Sequence, residues 1–215
     1  MRRLRNRSAS LIEFAKIILR KKYECEDSFY DNISTLNSFC KTITSGGTPN
    51  RGNHKYWHPN DINWLKNGEI KNNIIVNTEE SISKLGFSES STKLIPANSV
   101  SMAMYCVSDI QVSFNTIPLC TNQAVINLIT DDLKKSIFLY YLLMIFGNYI
   151  TTQANGSAQQ NLSKDILNTF EFKIPRLEAP LFSYLEKNIA LRTCITKEIN
   201  TLVKIKESIL STLTY

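Results

Sequence analysis

LEAPLFSYLEKNIALRTCITKEINTLVKIKESILSTLT, residues 177–214, is the stretch on which the fold turns. It has no glycine, and its one proline, Pro180, stands near the start, where the first turn of a helix does not need the missing N–H. Leu181, Leu185, Ile195, Ile199, Leu202, Ile209 and Leu213 follow alternating three- and four-residue steps. Asn188, Arg192 and Lys206 fill the remaining places of the same stripe. A helix of about 35 residues is about 50 Å long. The spacing predicts a rod that outruns one globular domain and pairs with another helix as a coiled coil. Its polar seam residues then fix register, with Arg192 and Lys206 reaching water along their stems.

Working outward, residues 131–176 open on Thr130-Asp131-Asp132, where Thr130 or Asp131 is the expected helix cap. Leu133, Ile137, Tyr140, Tyr141, Met144 and Ile145 then keep helical spacing as far as Gly147. Phe170 to Ile174 alternates like a strand and stops at Pro175. Residues 33–130 mix short apolar runs with Gly, Asn, Ser and Pro clusters, the pattern of an irregular, mostly β domain with its signal in the loops. Val100 to Val107 is too apolar for a one-sided strand and reads as a buried one. At the other end, Leu11, Phe14, Ala15 and Ile18 mark one face of a helix, followed by a polar linker from Glu24 to Asp31. The expected architecture is α+β: a basic N-terminal helix and linker (1–30), a mostly β domain (31–176) and a helical rod (177–215).

The 215 residues carry a net charge of +6, which by itself points to nucleic acid. Eight basic side chains and one acid fall in residues 1–22, so the other 193 residues hold 17 basic and 18 acidic groups. The body is neutral, and a claim of DNA binding there needs another basis. The 43% hydrophobic content supports a packed core. The longest apolar run, Ile137 to Phe146, is half of what a membrane span requires, at about 20 residues. Five cysteines without C-x-x-C spacing read as free, mostly buried thiols in a reducing cytoplasm.

Catalytic signatures are missing. His54 and His58 lie in a stretch bracketed by Gly52 and Pro59, not on a zinc-protease helix. No G-x-S-x-G, phosphate loop or dinucleotide fingerprint occurs. Acid pairs such as Glu79-Glu80 and Asp131-Asp132 read as solvated faces and caps. The chain is expected to bind no metal and to catalyse nothing alone. What it does carry is two polar loops. Ser45 to Trp57 combines Gly46 and Gly47, for backbone freedom, with hydroxyls, amides, two cations and two large aromatics. There Arg51 and Lys55 suit phosphates, and Asn50, Asn53 and His54 suit base edges. Thr151 to Asn161 is almost wholly amide and hydroxyl, the chemistry that grips adenine.

The order of segments resembles the specificity subunit of type I restriction–modification systems. Ile43-Thr44-Ser45-Gly46-Gly47-Thr48-Pro49 is similar to the family's opening segment. Tyr56-Trp57, Asp61 to Ile70, Ile82 to Phe87, Ser90 to Pro96, Asn122-Gln123-Ala124, Gly156 to Ser163 and Ile174-Pro175-Arg176-Leu177-Glu178 follow in the family's order. The resemblance spans about residues 36–214 and implies one target recognition domain followed by one helical spacer. The family commonly has two of each, which leaves either a half-subunit that dimerises or a truncated fragment.

The resemblance implies a non-catalytic, cytoplasmic reader of one half of a split double-stranded DNA target. Its partners would be modification (methyltransferase) subunits and, through the complex, a restriction motor subunit. S-adenosylmethionine, ATP and magnesium would belong to those partners. The residues expected at DNA are Thr48, Asn50, Arg51, Lys55 and Tyr56 from the first loop and Ser157, Gln159, Gln160 and Asn161 from the second. Lys66, Lys71 and Lys164 are expected at phosphates. Both tryptophans near the first loop are expected in the core. Leu181, Leu185, Ile195, Ile199, Leu202, Ile209 and Leu213 are expected at a dimer or docking interface. One rival is a coiled-coil interaction protein whose loops are inert; another is an enzyme whose site the motifs miss.

Overall fold

The computed structural model of the protein describes residues 1–25, 30–104, 110–154 and 170–213. The chain runs through α1 (Arg2–Cys25), β1 (Tyr30–Thr35), the single turn α2 (Leu36–Phe39), β2 (Thr42–Ser45), β3 (Ile62–Leu65), β4 (Asn73–Ile75) and β5 (Glu80–Ile82). It continues through the short α3 (Lys84–Ser88), β6 (Ser99–Ala103), β7 (Val112–Asn115), β8 (Cys120–Thr121), β9 (Val125–Ile129), α4 (Leu133–Ala154), β10 (Glu171–Pro175) and α5 (Pro180–Leu213). This is the α+β architecture that the sequence predicts, long last helix included.

Five strands make the main sheet, in the order β2-β9-β6-β7-β4; its pairs are antiparallel except for β4 with β7. A second sheet, β5-β3-β8, lies alongside, and β1 pairs with β10. β6 is buried along its whole length, as expected, although it ends at Ala103 and residues 105–109 lie outside the described ones. Its alternation separates two environments. Val100 and Met102 join Val112, Phe114, Ile126 and Leu128 in the main core beneath Ile137, Phe138 and Tyr141 of α4. On the other side, Ser99, Ser101, Ser113, Asn115 and Asn127 are fully buried and hydrogen bond among themselves and to neighbouring groups, with Asn115 Oδ1 left without a partner among the described residues. Ser101 donates to Asn127 (2.8 Å), Asn115 to Ser99 and Ser101 (3.0 and 2.8 Å), and Asn127 to Thr121 of β8 (2.8 Å). Polar strand residues are tolerated here because nearly every donor has an acceptor. The Asn127–Thr121 bond ties the main sheet to the second one.

Two helix boundaries differ from expectation. The cap of α4 is Asp132, whose Oδ1 accepts from the N–H groups of Lys134 (2.7 Å) and Lys135 (3.2 Å). Gly147 does not end that helix. It lies within α4, and a Cβ there would sit 2.9 Å from the Cβ of Ile110. The glycine makes room for a neighbour.

The larger correction concerns α5. Leu181, Leu185 and Ile195 are not held for another molecule; they are buried inside this chain, with Phe182 and Ile189 beside them. Asn188 and Arg192, read as coiled-coil register residues, are also buried, and Arg192 is only 1% exposed. The partner helix is the chain's own α1. Asn188 Nδ2 donates to the Leu11 carbonyl (2.9 Å), and Phe14 of α1 meets Tyr184 edge-on at 5.8 Å. From α4, Tyr141 donates to Asn188 Oδ1 (2.7 Å), and Arg192 donates to the hydroxyls of Tyr140 (2.8 Å) and Tyr141 (3.3 Å). Arg192 also reaches the Asn72 carbonyl at the entrance to β4 (3.3 Å). Burial pushes both tyrosine hydroxyls above their ordinary range, so they remain protonated. Only the far end of α5 meets the expectation of an open seam. Ile199 and Leu202 are half-buried, and Ile209 and Leu213 are exposed, as is Lys206. A heptad stripe states that a face is covered but not by which helix.

Among the described residues no helix is long and apolar enough to cross a membrane. The four described cysteines are free thiols. Cys40 and Cys120 are buried and Cys25 and Cys194 exposed, so the expectation of mostly buried thiols holds for half of them. Burial pushes Cys40 up to about 12 and Cys120 up to about 11.

Candidate nucleic-acid interface

The first polar loop, residues 45–57, lies across the second sheet and is bonded to its strands, to Ser83 just past β5, and within itself. The Gly47 N–H donates to the Thr121 carbonyl (2.9 Å), and Trp64 Nε1 donates to the Gly47 carbonyl (3.0 Å). Trp57 Nε1 donates to the Asn50 carbonyl (3.2 Å). The Ser83 N–H and hydroxyl reach the carbonyls of Tyr56 (2.8 Å) and Lys55 (2.6 Å). Arg51 closes the set by pairing with Glu80 of β5.

The glycines serve this fit rather than conformational freedom. None has a positive φ. A Cβ on Gly46 would lie 2.1 Å from the Thr121 carbonyl oxygen, and one on Gly47 would lie 2.7 Å from the Thr92 nitrogen. The loop backbone therefore seats directly on β8 and on the 91–92 turn. Thr48 then hydrogen bonds Gln123, which joins the Gly-Gly-Thr-Pro segment to the Asn-Gln segment 75 residues later. Segments far apart in sequence converge on one rim.

Trp64 is 1% exposed and packs with Ile82 and Cys120, the core role expected of it. Trp57 packs partly buried against the same cluster and meets Trp64 edge-on at 5.1 Å. The Arg51 guanidinium lies 3.7 Å from the Trp57 ring centroid and 4.7 Å from that of Trp64. This is cation–π distance for both. Lys66 follows β3 and pairs with Glu79 (2.8 Å) and Glu80 (3.1 Å). A cleft of about 310 Å³ opens between Arg51, Trp57, His58, Asn60 and the 79–81 strand entry.

The structure thus brings Thr48, Asn50, Arg51, Lys55, Tyr56 and Lys66 together around one small sheet. Several have internal tasks. The side chain of Asn50 accepts from the Gly52 N–H (2.9 Å) and shapes its own turn, and Asn53 accepts from the Lys55 N–H (3.2 Å). The Tyr56 hydroxyl donates to Glu89 (2.6 Å), and that bond raises its pKa from the ordinary value. Lys71 lies elsewhere, in the turn before β4, next to the Asn72 carbonyl held by Arg192. Ser157, Gln159, Gln160, Asn161 and Lys164 lie outside the described residues.

Sequence reasoning missed the acids. Glu79-Glu80 reads as a solvated face, yet Glu80 pairs with two of the cations assigned to DNA. The cause is strand register: Glu80 lies opposite Trp64 in the β3–β5 ladder, a pairing no local pattern reveals. Among the described residues, no three His, Cys, Asp or Glu side chains converge as metal ligands would.

Comparison with known proteins places this arrangement. A family model described as "Type I restriction modification DNA specificity domain" matches residues 32–204. Among curated proteins, the specificity subunit of the type I restriction enzyme EcoR124I/EcoR124II of Escherichia coli is 26% identical over 133 residues, 60% of this chain and 33% of that one. The HindI specificity subunit of Haemophilus influenzae is 30% identical over 141 residues, 63% of this chain and 30% of that one. The chain therefore spans about a third of the length of these curated relatives. Among solved structures, the type I restriction–modification S subunit from M. genitalium superposes with a TM-score of 0.61 at 15% identity. That match covers 97% of this chain and 56% of the other. It shows a shared fold.

Proposed function

Because the chain belongs to the type I restriction modification DNA specificity domain family, we propose that it reads one half of a two-part DNA target and docks the modification subunits of such a system, with no chemistry of its own. The carrying observation is the rim built from residues 45–57 and 122–123 on the β5-β3-β8 sheet. A backbone seated that closely holds amide, hydroxyl and guanidinium groups in fixed positions, as direct base readout requires. The neutral body agrees with this reading: recognition rests on placed groups, and partner subunits supply much of the phosphate contact. S-adenosylmethionine, ATP and magnesium are assigned to those partners, including a motor subunit where one is present, and the complex is assigned to the cytoplasm.

The decisive experiment co-purifies the full chain with its co-encoded methyltransferase and selects from random-sequence duplexes. Enrichment of a bipartite sequence is the expected result, and recovery of DNA without sequence preference rejects it. In the same complex, Gln159→Ala should cost about 1–3 kcal/mol at one base pair of each half-site, whereas Arg51→Ala should weaken target binding without changing the selected sequence. Unchanged selection by the first together with unchanged affinity of the second would show that these loops do not face DNA.

A second copy of the chain would supply the other half-site. Since the near half of α5 is filled by α1 and α4, pairing is assigned to its far end, with Ile209 and Leu213 at the contact. Identical readers imply a palindromic two-part target. Sedimentation should give a dimer for the wild type and a monomer for Ile209→Asp with Leu213→Asp. These positions test association cleanly, because Ile199 and Leu202 are half-buried and charge there would also strain the fold. A wild type that stays monomeric at high micromolar concentration favours one-to-one docking of the rod on a modification subunit.

A further inference from the structure

We propose that Glu80 is a specificity-determining residue of the DNA rim: it holds Arg51 and Lys66 in internal ion pairs, so that neither cation attracts phosphate indiscriminately. The inference rests on the DNA-reading role proposed above. One carboxylate serves both cations. Its Oε2 pairs with Arg51 and its Oε1 with Lys66 at 3.1 Å, and Glu79 adds a second oxygen to Lys66 at 2.8 Å. The rings of Trp57 and Trp64 flank the guanidinium, which limits its swing. Partial burial works to raise the Glu80 carboxyl, but Arg51 and Lys66 outweigh it and hold it below the usual carboxylate range. Lys66 is shifted upward by its bonds to Glu79 and Glu80.

The physical consequence concerns the balance between specific and non-specific binding. A lysine or arginine that meets phosphate releases counterions on DNA of any sequence. A cation already neutralised by a carboxylate releases none until DNA displaces that carboxylate. Displacement is favoured only where several other groups of the rim are satisfied at once, as on a matching half-site. The acidic pair thus suppresses sequence-independent affinity while the cations remain positioned for use. Selectivity built from a repulsive element is a general device.

The test uses the full chain and a short mixed-sequence duplex. Glu80→Gln keeps the side chain's shape and removes its charge. It should bind this duplex about tenfold tighter at moderate salt, and the dependence of log K on log salt should steepen by about one to two units. Arg51→Ala placed in the Glu80→Gln background should abolish most of that gain. Glu79→Gln, at an exposed carboxylate that among the described residues pairs only with Lys66, should give a smaller gain and up to about one unit of slope. It serves as the second variant should Glu80→Gln fold poorly. A merely structural role would shift the melting temperature and leave the salt slope unchanged. Unchanged affinity and slope in both Gln variants overturns the proposal. A wild type that retains no duplex, alone or with its methyltransferase, instead overturns the DNA reading beneath it.

Discussion

Arg192→Ala is expected to lower the stability of the chain by about 3 kcal/mol. The guanidinium is nearly inaccessible, and it donates to Tyr140, Tyr141 and the Asn72 carbonyl. Those acceptors come from α4 and from the turn before β4, while Arg192 itself belongs to α5. Asn188, one turn earlier, extends the network to α1 through the Leu11 carbonyl. Truncation removes charge-assisted bonds, opens a cavity and takes a donor from each of the two hydroxyls, which still donate to Asn72 and Asn188. Arg192→Met should cost less, about 1 kcal/mol, because the stem still fills its space and no charge is left in the interior. The guanidinium is not fully compensated in any case: among the described residues its Nε has no hydrogen-bond partner. Urea denaturation of the two variants measures both costs. An alanine variant within about 0.5 kcal/mol of wild type would show that the junction is held by apolar packing alone.

Gly46→Ala should be comparably damaging, at about 2–3 kcal/mol, and should also abolish the preference for target over other DNA. The new methyl group would lie 2.1 Å from a backbone oxygen of β8. That oxygen cannot retreat easily, since it accepts from the Gly47 N–H and its strand pairs with β3. The loop would lift from its seat, carrying Thr48 away from Gln123 and Arg51 away from Glu80. Gly68→Ala is the matched control: nothing lies within 4 Å of its added Cβ, and its φ is not positive. It should be neutral or stabilising by up to about 1 kcal/mol, through the unfolded chain. Thermal melting together with DNA retention decides. Equal behaviour of the two alanine variants would sink the argument that close approach dictates the glycine pair.

Much of the protein was legible in its sequence because the relevant signals are local. The spacing of Leu181 to Leu213 encodes a helix whatever surrounds it, since the 3.6-residue period is a property of the backbone. Val100 to Val107 is too apolar for a one-sided strand and so reads as a buried one, and the strand described there, Ser99–Ala103, is buried throughout. The family membership followed from short segments in a fixed order, and the matching family model spans residues 32–204. The composition of the 45–57 loop singled it out before any geometry was available.

The tertiary structure decided which surfaces meet. Nothing in the stripe of α5 distinguishes a partner molecule from α1 of the same chain, because apolar side chains pack on either with similar energy. Asn188 and Arg192 read as register residues of a seam with another helix for the same reason; their hydrogen-bond partners lie as far off in sequence as Leu11 and Tyr140. Glu80 looked solvated until the β3–β5 register set its strand beside Trp64 and its carboxylate against Arg51 and Lys66. Local periodicity determines what each segment becomes. Long-range pairing determines which charges are neutralised and which faces remain open, since those depend on groups that only the folded chain brings within a few ångströms.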